Sequence, residues 1–149
     1  MSAKREDWTD RRTRTRGMIG QLLQERQEML ALFCRVAGLE PYTPDKPVEE
    51  LLQEFCGVLM DYTAFGHFEV YRRIADGFER RAKVKEAATK AYPRIAETTE
   101  MMVAFNDRYD ASTHPLKLEN LPHDLSMLGE ELATRIELED QLVAAMLDR

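Results

Sequence analysis

Residues 61–71 read DYTAFGHFEVY, and this stretch decides the architecture that we expect for the chain. An apolar repeat of three- and four-residue steps enters it, meets Gly66 and resumes among aromatic side chains that flank His67. Glycine inside a helix costs about 1 kcal/mol relative to alanine, so Gly66 predicts a bend or a close packing contact. Two interpretations stay open: Asp61 and His67 belong to an exposed aromatic binding surface, or His67 is a hydrogen-bonded core residue at a helix junction.

Upstream of this stretch the same spacing predicts a first helix. We expect it to begin between Trp8 and Arg16 and to end near Ala37, where Gly38 is a natural stop. Three prolines in the segment Leu39–Pro47 exclude a continuing helix and predict the main connecting loop.

The second and third helices follow this loop. The second is expected over about 47–78, with proline in its first turn and an interruption near Gly66. The third is expected over about 84–109 and contains Pro93. Because proline removes a backbone hydrogen bond, Pro93 either ends a short helix near Tyr92 or kinks a longer one.

The last helix is expected over roughly Leu118–Leu147, and two charged residues interrupt its apolar stripe. Arg135 and Glu139 are one turn apart, so a simple surface pair at the edge of the stripe is one interpretation. The other is that they meet Asp61 or His67 in a polar pocket between helices. A buried arginine would need carboxylates nearby, because an unpaired buried charge is expensive.

Together these segments predict an all-α fold, a bundle of four main helices in one domain over residues 18–149. Residues 1–17 carry six basic and three acidic side chains, a net charge of +3, which leaves −9 on the rest of a chain whose total is −6. Residues 1–17 have two interpretations, a basic arm that touches nucleic acid or a solvated, partly disordered and frayed entry to the first helix, and we favour the second. The acidic body argues against direct nucleic-acid binding and favours a basic protein partner.

Cys34 and Cys56 are the only cysteines, and both lie inside apolar helical segments without CxxC spacing. This use of cysteine is typical of small buried side chains in a reducing compartment. No apolar run approaches the roughly 20 residues of a membrane span, and the charged start lacks the apolar part of a signal peptide. We therefore expect a cytoplasmic protein.

Catalytic and cofactor signatures are missing from the sequence. A carboxylate-bridged metal bundle would need Glu-x-x-His pairs, but Ala64, Ala111 and Asn120 stand three residues before the histidines. Nucleophile-elbow, P-loop and Rossmann glycine patterns are absent as well. We therefore expect no enzyme activity, no metal and no cofactor, but a module that binds a basic amphipathic partner through aromatic anchors and carboxylates.

Several of these motifs occur together in a known family. They are the run QERQEML at 24–30, Phe55-Cys56, Asp61-Tyr62, Gly66-His67-Phe68, Tyr92-Pro93, and at the end Leu125, Ser126, Gly129-Glu130, Leu132, Arg135, Leu138-Glu139-Asp140 and Leu142. In these residues the chain resembles the regulator-of-sigma-D (Rsd/AlgQ) family of bacterial anti-sigma factors, over nearly its whole length from Gln24. Two departures stand out. Gly20-Gln21-Leu22 replaces a usual Asp-Arg-Trp, and Phe65 replaces a small residue.

The resemblance implies a helical bundle that binds the C-terminal helix-turn-helix region of the housekeeping sigma factor of RNA polymerase. Binding there would block the contacts of sigma with core polymerase and with promoter DNA, and an acidic binder suits a DNA-reading surface rich in arginine and lysine. The candidate partner-binding residues are Asp61, Tyr62, Phe65, Gly66, His67, Phe68, Tyr71, Arg135, Glu139 and Asp140. In this hypothesis Asp61 pairs with a basic side chain, Phe68 anchors an apolar contact, and Gly66 sets the backbone geometry.

Two other functions stay open from the residues alone. One is a signalling adaptor that binds another cytoplasmic protein such as a stress-response enzyme. The other is a helical bundle that senses a small ligand or a metal among Asp61, His67, Arg135 and Glu139.

Overall fold

The structure, a computed structural model, describes residues 2–39, 46–75 and 81–147, without the side chains of 2–11, 73 and 75. It contains helices α1 (Ser2–Ala37), α2 (Val48–Phe65), a π-helix (Gly66–Tyr71), α3 (Arg72–Ala75), α4 (Ala82–Arg108) and α5 (Leu121–Leu147). Because α2, the π-helix and α3 are continuous, they form one interrupted helix. The predicted all-α bundle of four main helices, with its second helix interrupted at Gly66, is confirmed.

The predicted starts of two helices need correction. Helix α1 begins at Ser2, ahead of the start predicted between Trp8 and Arg16, because good helix formers precede Trp8 and no proline or glycine interrupts them. Helix α5 begins at Leu121 rather than Leu118, with Pro122 in its first turn.

Pro93 lies inside a single continuous α4, so of the two alternatives the structure has the longer helix. The predicted extension of the second helix to Phe78 and most of the loop Leu39–Pro47 lie outside the described residues.

Gly38 ends α1 as predicted. Its φ of 70° is in the left-handed region, where glycine has no Cβ penalty. The N–H of Gly38 donates to the carbonyl of Arg35 at 3.2 Å, and the N–H of Leu39 donates to that of Cys34 at 2.9 Å. This pair of bonds is a Schellman motif, which satisfies carbonyls that the helix end would leave unpaired.

The core lies where the apolar stripes of the four helices meet. Helix α1 packs mainly on α2 and α4 mainly on α5, while contacts of α2 with α4 and of α1 with α5 close the bundle. Fully buried side chains from all four helices form this core: Leu22, Met29, Leu52, Phe55, Leu59, Ile95, Met102 and Leu132. Within the described ranges, no helix is long and apolar enough to cross a membrane.

Candidate functional site

The π-helix shifts the register of the second helix by one residue. Helical spacing from the buried Tyr62 would bury Gly66 and then Glu69, at steps of four and three residues. The structure buries Gly66 but then Val70 and Tyr71, and it leaves Glu69 exposed. A π-helix takes more residues per turn, so it accommodates this one-residue slip of the apolar pattern. The charged side chain is thereby kept out of the core.

Gly66 lies in close contact with its neighbours where the π-helix begins. A Cβ at this position would lie 3.1 Å from Nη2 of Arg135, 3.2 Å from Cε2 of Tyr71 and 3.8 Å from Cδ1 of Leu22. The first two distances are shorter than ordinary van der Waals contact. Because Gly66 has no side chain, the Arg135 guanidinium packs directly on the helix backbone. This is the close packing contact that the sequence predicts for Gly66.

Beneath the π-helix lies a buried polar cluster centred on Glu139, whose side chain is 0% exposed. The Tyr62 hydroxyl is 2.8 and 2.9 Å from the two carboxylate oxygens, and the Tyr71 hydroxyl donates to Oε2 at 2.6 Å. Both carboxylate oxygens are satisfied by these donors, so the charge is hydrogen-bonded despite its burial. We refer to Tyr62, Tyr71, Glu139 and Arg135 as the buried cluster.

Arg135 is the second fully buried charge of this cluster. Its Nε is 3.6 Å from Oε2 of Glu139, and its Nη1 donates to the hydroxyl oxygens of Thr98 and Thr99 at 3.2 and 2.8 Å. Its Cζ lies 5.2 Å from the ring centroid of Tyr62 and 5.6 Å from that of Tyr71, within range of cation–π attraction. Nε and Nη2 have no hydrogen-bond acceptor among the described residues.

Burial shifts the pKa values of the cluster. It raises the pKa of the Tyr62 and Tyr71 hydroxyls well above the ordinary value of 10.0, and the nearby Glu139 charge raises both further. For Arg135, burial works against the charged form, but the two tyrosines and Glu139 outweigh it and raise the pKa of the guanidinium. The tyrosines therefore stay neutral donors and Arg135 stays a cation.

Arg26 of α1 links this cluster to the surface. Its Nη1 lies 2.7 Å from Oδ1 of the exposed Asp140 and 3.4 Å from Oε1 of Glu139. Sequence reasoning missed Arg26, although it follows Leu22 by four residues and precedes Met29 by three. It thus interrupts an apolar stripe, which is the same signal that identified Arg135 and Glu139.

Above the cluster, the second helix presents an outer face that consists of Asp61, Phe65, His67, Phe68 and Glu69. Asp61 and Glu69 are exposed, Phe65 and His67 are half-buried, and Phe68 is 55% exposed. The rings of His67 and Phe68 meet edge to face with centroids 4.8 Å apart, and Cζ of Arg72 lies 5.9 Å from the Phe68 centroid. Exposed carboxylates and a large exposed aromatic side chain on one helix suit a basic, partly apolar partner.

Eight of the ten candidate residues lie in these two layers, and the other two are Gly66 and Asp140. Arg135 and Glu139 lie in a buried pocket between helices, as one interpretation predicted, so the surface-pair alternative is wrong. The expectation that they would meet Asp61 or His67 is also wrong, because the residues that reach them are Tyr62 and Tyr71. The interpretation of His67 as a core histidine is not supported, since its side chain is half-buried. Asp140 is exposed but already paired with Arg26.

No group of three or more histidine, cysteine or carboxylate side chains in the described ranges has the geometry of a metal site. Within the cluster the Glu139 carboxylate is hydrogen-bonded, while Nε and Nη2 of Arg135 have no acceptor in the described part of the chain.

The sequence comparisons identify the family. The profile described as regulator of RNA polymerase sigma(70) subunit, Rsd/AlgQ, matches residues 1–147. The chain belongs to the Rsd/AlgQ family. By its description this is a family of sigma-factor regulators.

Curated relatives of this Rsd/AlgQ chain carry the name regulator of sigma D. The protein from Yersinia enterocolitica serotype O:8 / biotype 1B is 36% identical over 144 residues, covering 93% of this chain and 85% of the relative. That from Yersinia pseudotuberculosis serotype O:1b is 35% identical, covering 93% and 84%. That from Shigella dysenteriae serotype 1 is 29% identical over 153 residues, covering 96% and 92%. No solved structure shows a significant match to the chain.

Proposed function

We propose that this protein is a cytoplasmic anti-sigma factor that binds the C-terminal helix-turn-helix region of the housekeeping sigma factor. Bound there, it blocks the contacts of sigma with core polymerase and with promoter DNA. Membership of the Rsd/AlgQ family supports regulation of sigma(70). The observation that carries the site is Phe68, 55% exposed on a helix face that also exposes Asp61 and Glu69.

Charge supports the choice of partner. Outside residues 1–17 the chain carries a net charge of −9. The outer face exposes two acids, Asp61 and Glu69, against a nearby cation, Arg72, whose Cζ lies 5.9 Å from the Phe68 ring. A helix-turn-helix presents arginine and lysine to DNA phosphates. An acidic binder competes for the same cations, and steering between opposite charges speeds association.

The two layers of the site have different roles. Asp61 and Glu69 pair with basic partner side chains, and Phe68 enters an apolar pocket on the partner. Tyr62, Tyr71, Arg135 and Glu139 are buried, so they support this face from beneath rather than touch the partner. Sequestration then needs no chemistry on the partner, because occupancy follows from concentration and affinity.

The deciding experiment is a calorimetric titration of the full chain with the isolated C-terminal region of the same organism's housekeeping sigma factor, in a salt series. We expect a one-to-one complex whose affinity falls as salt screens the charge pairs. The N-terminal region of the same sigma factor is the control and should not bind. Absence of binding to the C-terminal region in dilute buffer would refute the proposal.

A competition assay tests the consequence. With sigma factor and core polymerase held constant, increasing amounts of this protein should reduce the sigma factor recovered on core enzyme. Unchanged recovery despite a measured complex would mean that binding does not cover the surface that core polymerase uses.

A further inference from the structure

The outer face has its composition because of the π-helix. Tyr71 follows Tyr62 by nine residues, which is about two and a half turns of an α-helix, so a regular helix would place the two on opposite sides. In that register Glu69 would point inward and Tyr71 outward. The observed π-helix reverses both placements: Tyr71 is 3% exposed and Glu69 is exposed.

Contacts from other helices hold this register. The Tyr71 hydroxyl donates to Oε2 of Glu139 on α5 at 2.6 Å, and the Tyr62 hydroxyl is held by the same carboxylate. The Arg135 side chain occupies the space that a side chain at Gly66 would fill. A π-helical turn is rare and is found mostly as a single turn inside an α-helix, frequently at a functional site. We therefore attribute its stability here to these contacts from the other helices.

We propose that Tyr71 and Glu139 are positioning residues for partner binding, and that Glu69, which they place on the outer face, is a specificity-determining carboxylate. Their hydrogen bond fixes the register in which Glu69 lies beside Phe68. Glu69 then selects an arginine or lysine on the partner next to the pocket that receives Phe68. This assignment rests on the proposed binding of the sigma C-terminal region, but the register itself can be tested without a partner.

The first test measures amide hydrogen exchange in the free protein. Tyr71→Phe removes the bond to Glu139 while it keeps the ring, and we expect exchange over residues 66–71 to speed up at least about tenfold relative to α5. Tyr109→Phe is the matched control. It removes a bond between a buried tyrosine and the carboxylate of Asp124, so it should not affect residues 66–71 selectively.

The second test measures affinity for the sigma C-terminal region. Glu69→Gln and Tyr71→Phe should each weaken binding roughly tenfold, whereas Tyr109→Phe should not. The variant Phe68→Ala, Glu69→Gln lacks the two side chains that the π-helix positions on the outer face. Adding Tyr71→Phe to that variant should change the affinity by less than about twofold.

The outcomes separate the alternatives. Exchange over residues 66–71 that is unchanged by both Tyr71→Phe and Glu139→Gln would overturn the positioning role. The positioning role would also be overturned if Tyr71→Phe weakened binding as much in the Phe68→Ala, Glu69→Gln variant as in the wild-type chain. Such a result would indicate that Tyr71→Phe destabilises the whole protein. If the wild-type chain does not bind the sigma region, the proposed function and the role of Glu69 fail, and the exchange rates alone decide the role of Tyr71 and Glu139.

Discussion

Nη2 of Arg135 lies 3.1 Å from the point where the side chain of any other residue at position 66 would begin. The guanidinium cannot retreat easily, because it is fully buried near two tyrosine rings and its Nη1 is hydrogen-bonded to Thr98 and Thr99. Gly66 is thus a packing residue that couples the second helix to α5.

Substitution of Gly66 by alanine tests this coupling. Alanine favours the helix by about 1 kcal/mol, but its Cβ forces Arg135 and the Tyr71 ring to move, and overpacking typically costs about 1–3 kcal/mol. We expect Gly66→Ala to lower the free energy of unfolding by about 1 kcal/mol in urea denaturation. Gly57 in α2 is the control, because it is exposed and, apart from its own stretch of helix, no described atom lies within 4 Å of the position that a Cβ would take. Gly57→Ala should raise the free energy of unfolding by about 0.5–1 kcal/mol. Stabilisation by both substitutions would contradict the close contact.

The ion pair between Arg135 and Glu139 should be strongly coupled. Arg135→Met leaves the Glu139 carboxylate without its fully buried counter-charge, although the half-buried Arg26 stays 3.4 Å away. Breaking a buried pair costs about 3–5 kcal/mol. Adding Glu139→Gln removes the unpaired charge, so the double variant should lose less stability than the sum of the two single variants. Denaturation of all four proteins measures this difference. Additive losses would show that the two charges do not stabilise each other.

Alkaline pH should destabilise the protein through the buried tyrosines. Since burial and the Glu139 charge raise the folded-state pKa of Tyr62 and Tyr71 above 10.0, the folded chain keeps protons that the unfolded chain releases. The free energy of unfolding is therefore unaffected by these groups below pH 10 and falls above it, by at most about 1.4 kcal/mol per pH unit for each. Urea midpoints measured between about pH 9 and pH 11.5 test this. Tyr71→Phe should be less stable at neutral pH but show a shallower fall above pH 10, and an equal slope would be evidence against the shift.

The spacing of apolar residues predicts most of the fold. It placed Tyr62 on the buried stripe of Leu52, Phe55 and Leu59, and it placed Arg135 and Glu139 inward, as observed. It could not show which residues of other helices meet them, because a helical repeat defines a face but not the partner across the interface. The charge of Asp61 makes it a predicted partner of Arg135 and Glu139, but its neighbour Tyr62 is the residue that bonds to Glu139.

The π-helix was the other limit of sequence reasoning. The sequence predicts a bend or a close packing contact at Gly66, but it does not predict a change of helical register there. The structure instead inserts one residue, which buries Val70 and exposes Phe68. The available signal was Glu69, which regular spacing from Tyr62 would have buried. A register shift of one residue leaves only a weak pattern in the sequence. Contacts with Arg135 and Glu139 on another helix determine the register.

The two cysteines should differ in reactivity. Burial raises the pKa of the Cys56 thiol from 9.0 to about 12, with a smaller contribution from Asp110, whereas Cys34 is half-buried. Because the thiolate is the reactive species, a thiol reagent should modify Cys34 first and Cys56 only as the chain unfolds. In the Cys34→Ser variant, modification should follow a single slow phase, that of Cys56, whose rate increases with urea concentration. Equal rates for the two thiols in the folded protein would contradict the burial of Cys56.

Charge reversal at Asp61 addresses the binding face most directly. Asp61 is exposed, so Asp61→Lys should leave the helical circular dichroism and the urea midpoint nearly unchanged. It should weaken binding of the sigma C-terminal region at least about tenfold, mainly through slower association, because a like charge then faces the basic partner. Glu100→Lys, at an exposed position of α4 outside the outer face, makes the same change in net charge and is the matched control. Equal weakening by the two variants would mean that the partner responds to overall charge rather than to Asp61, whereas weakening confined to Asp61→Lys assigns the contact to the outer face.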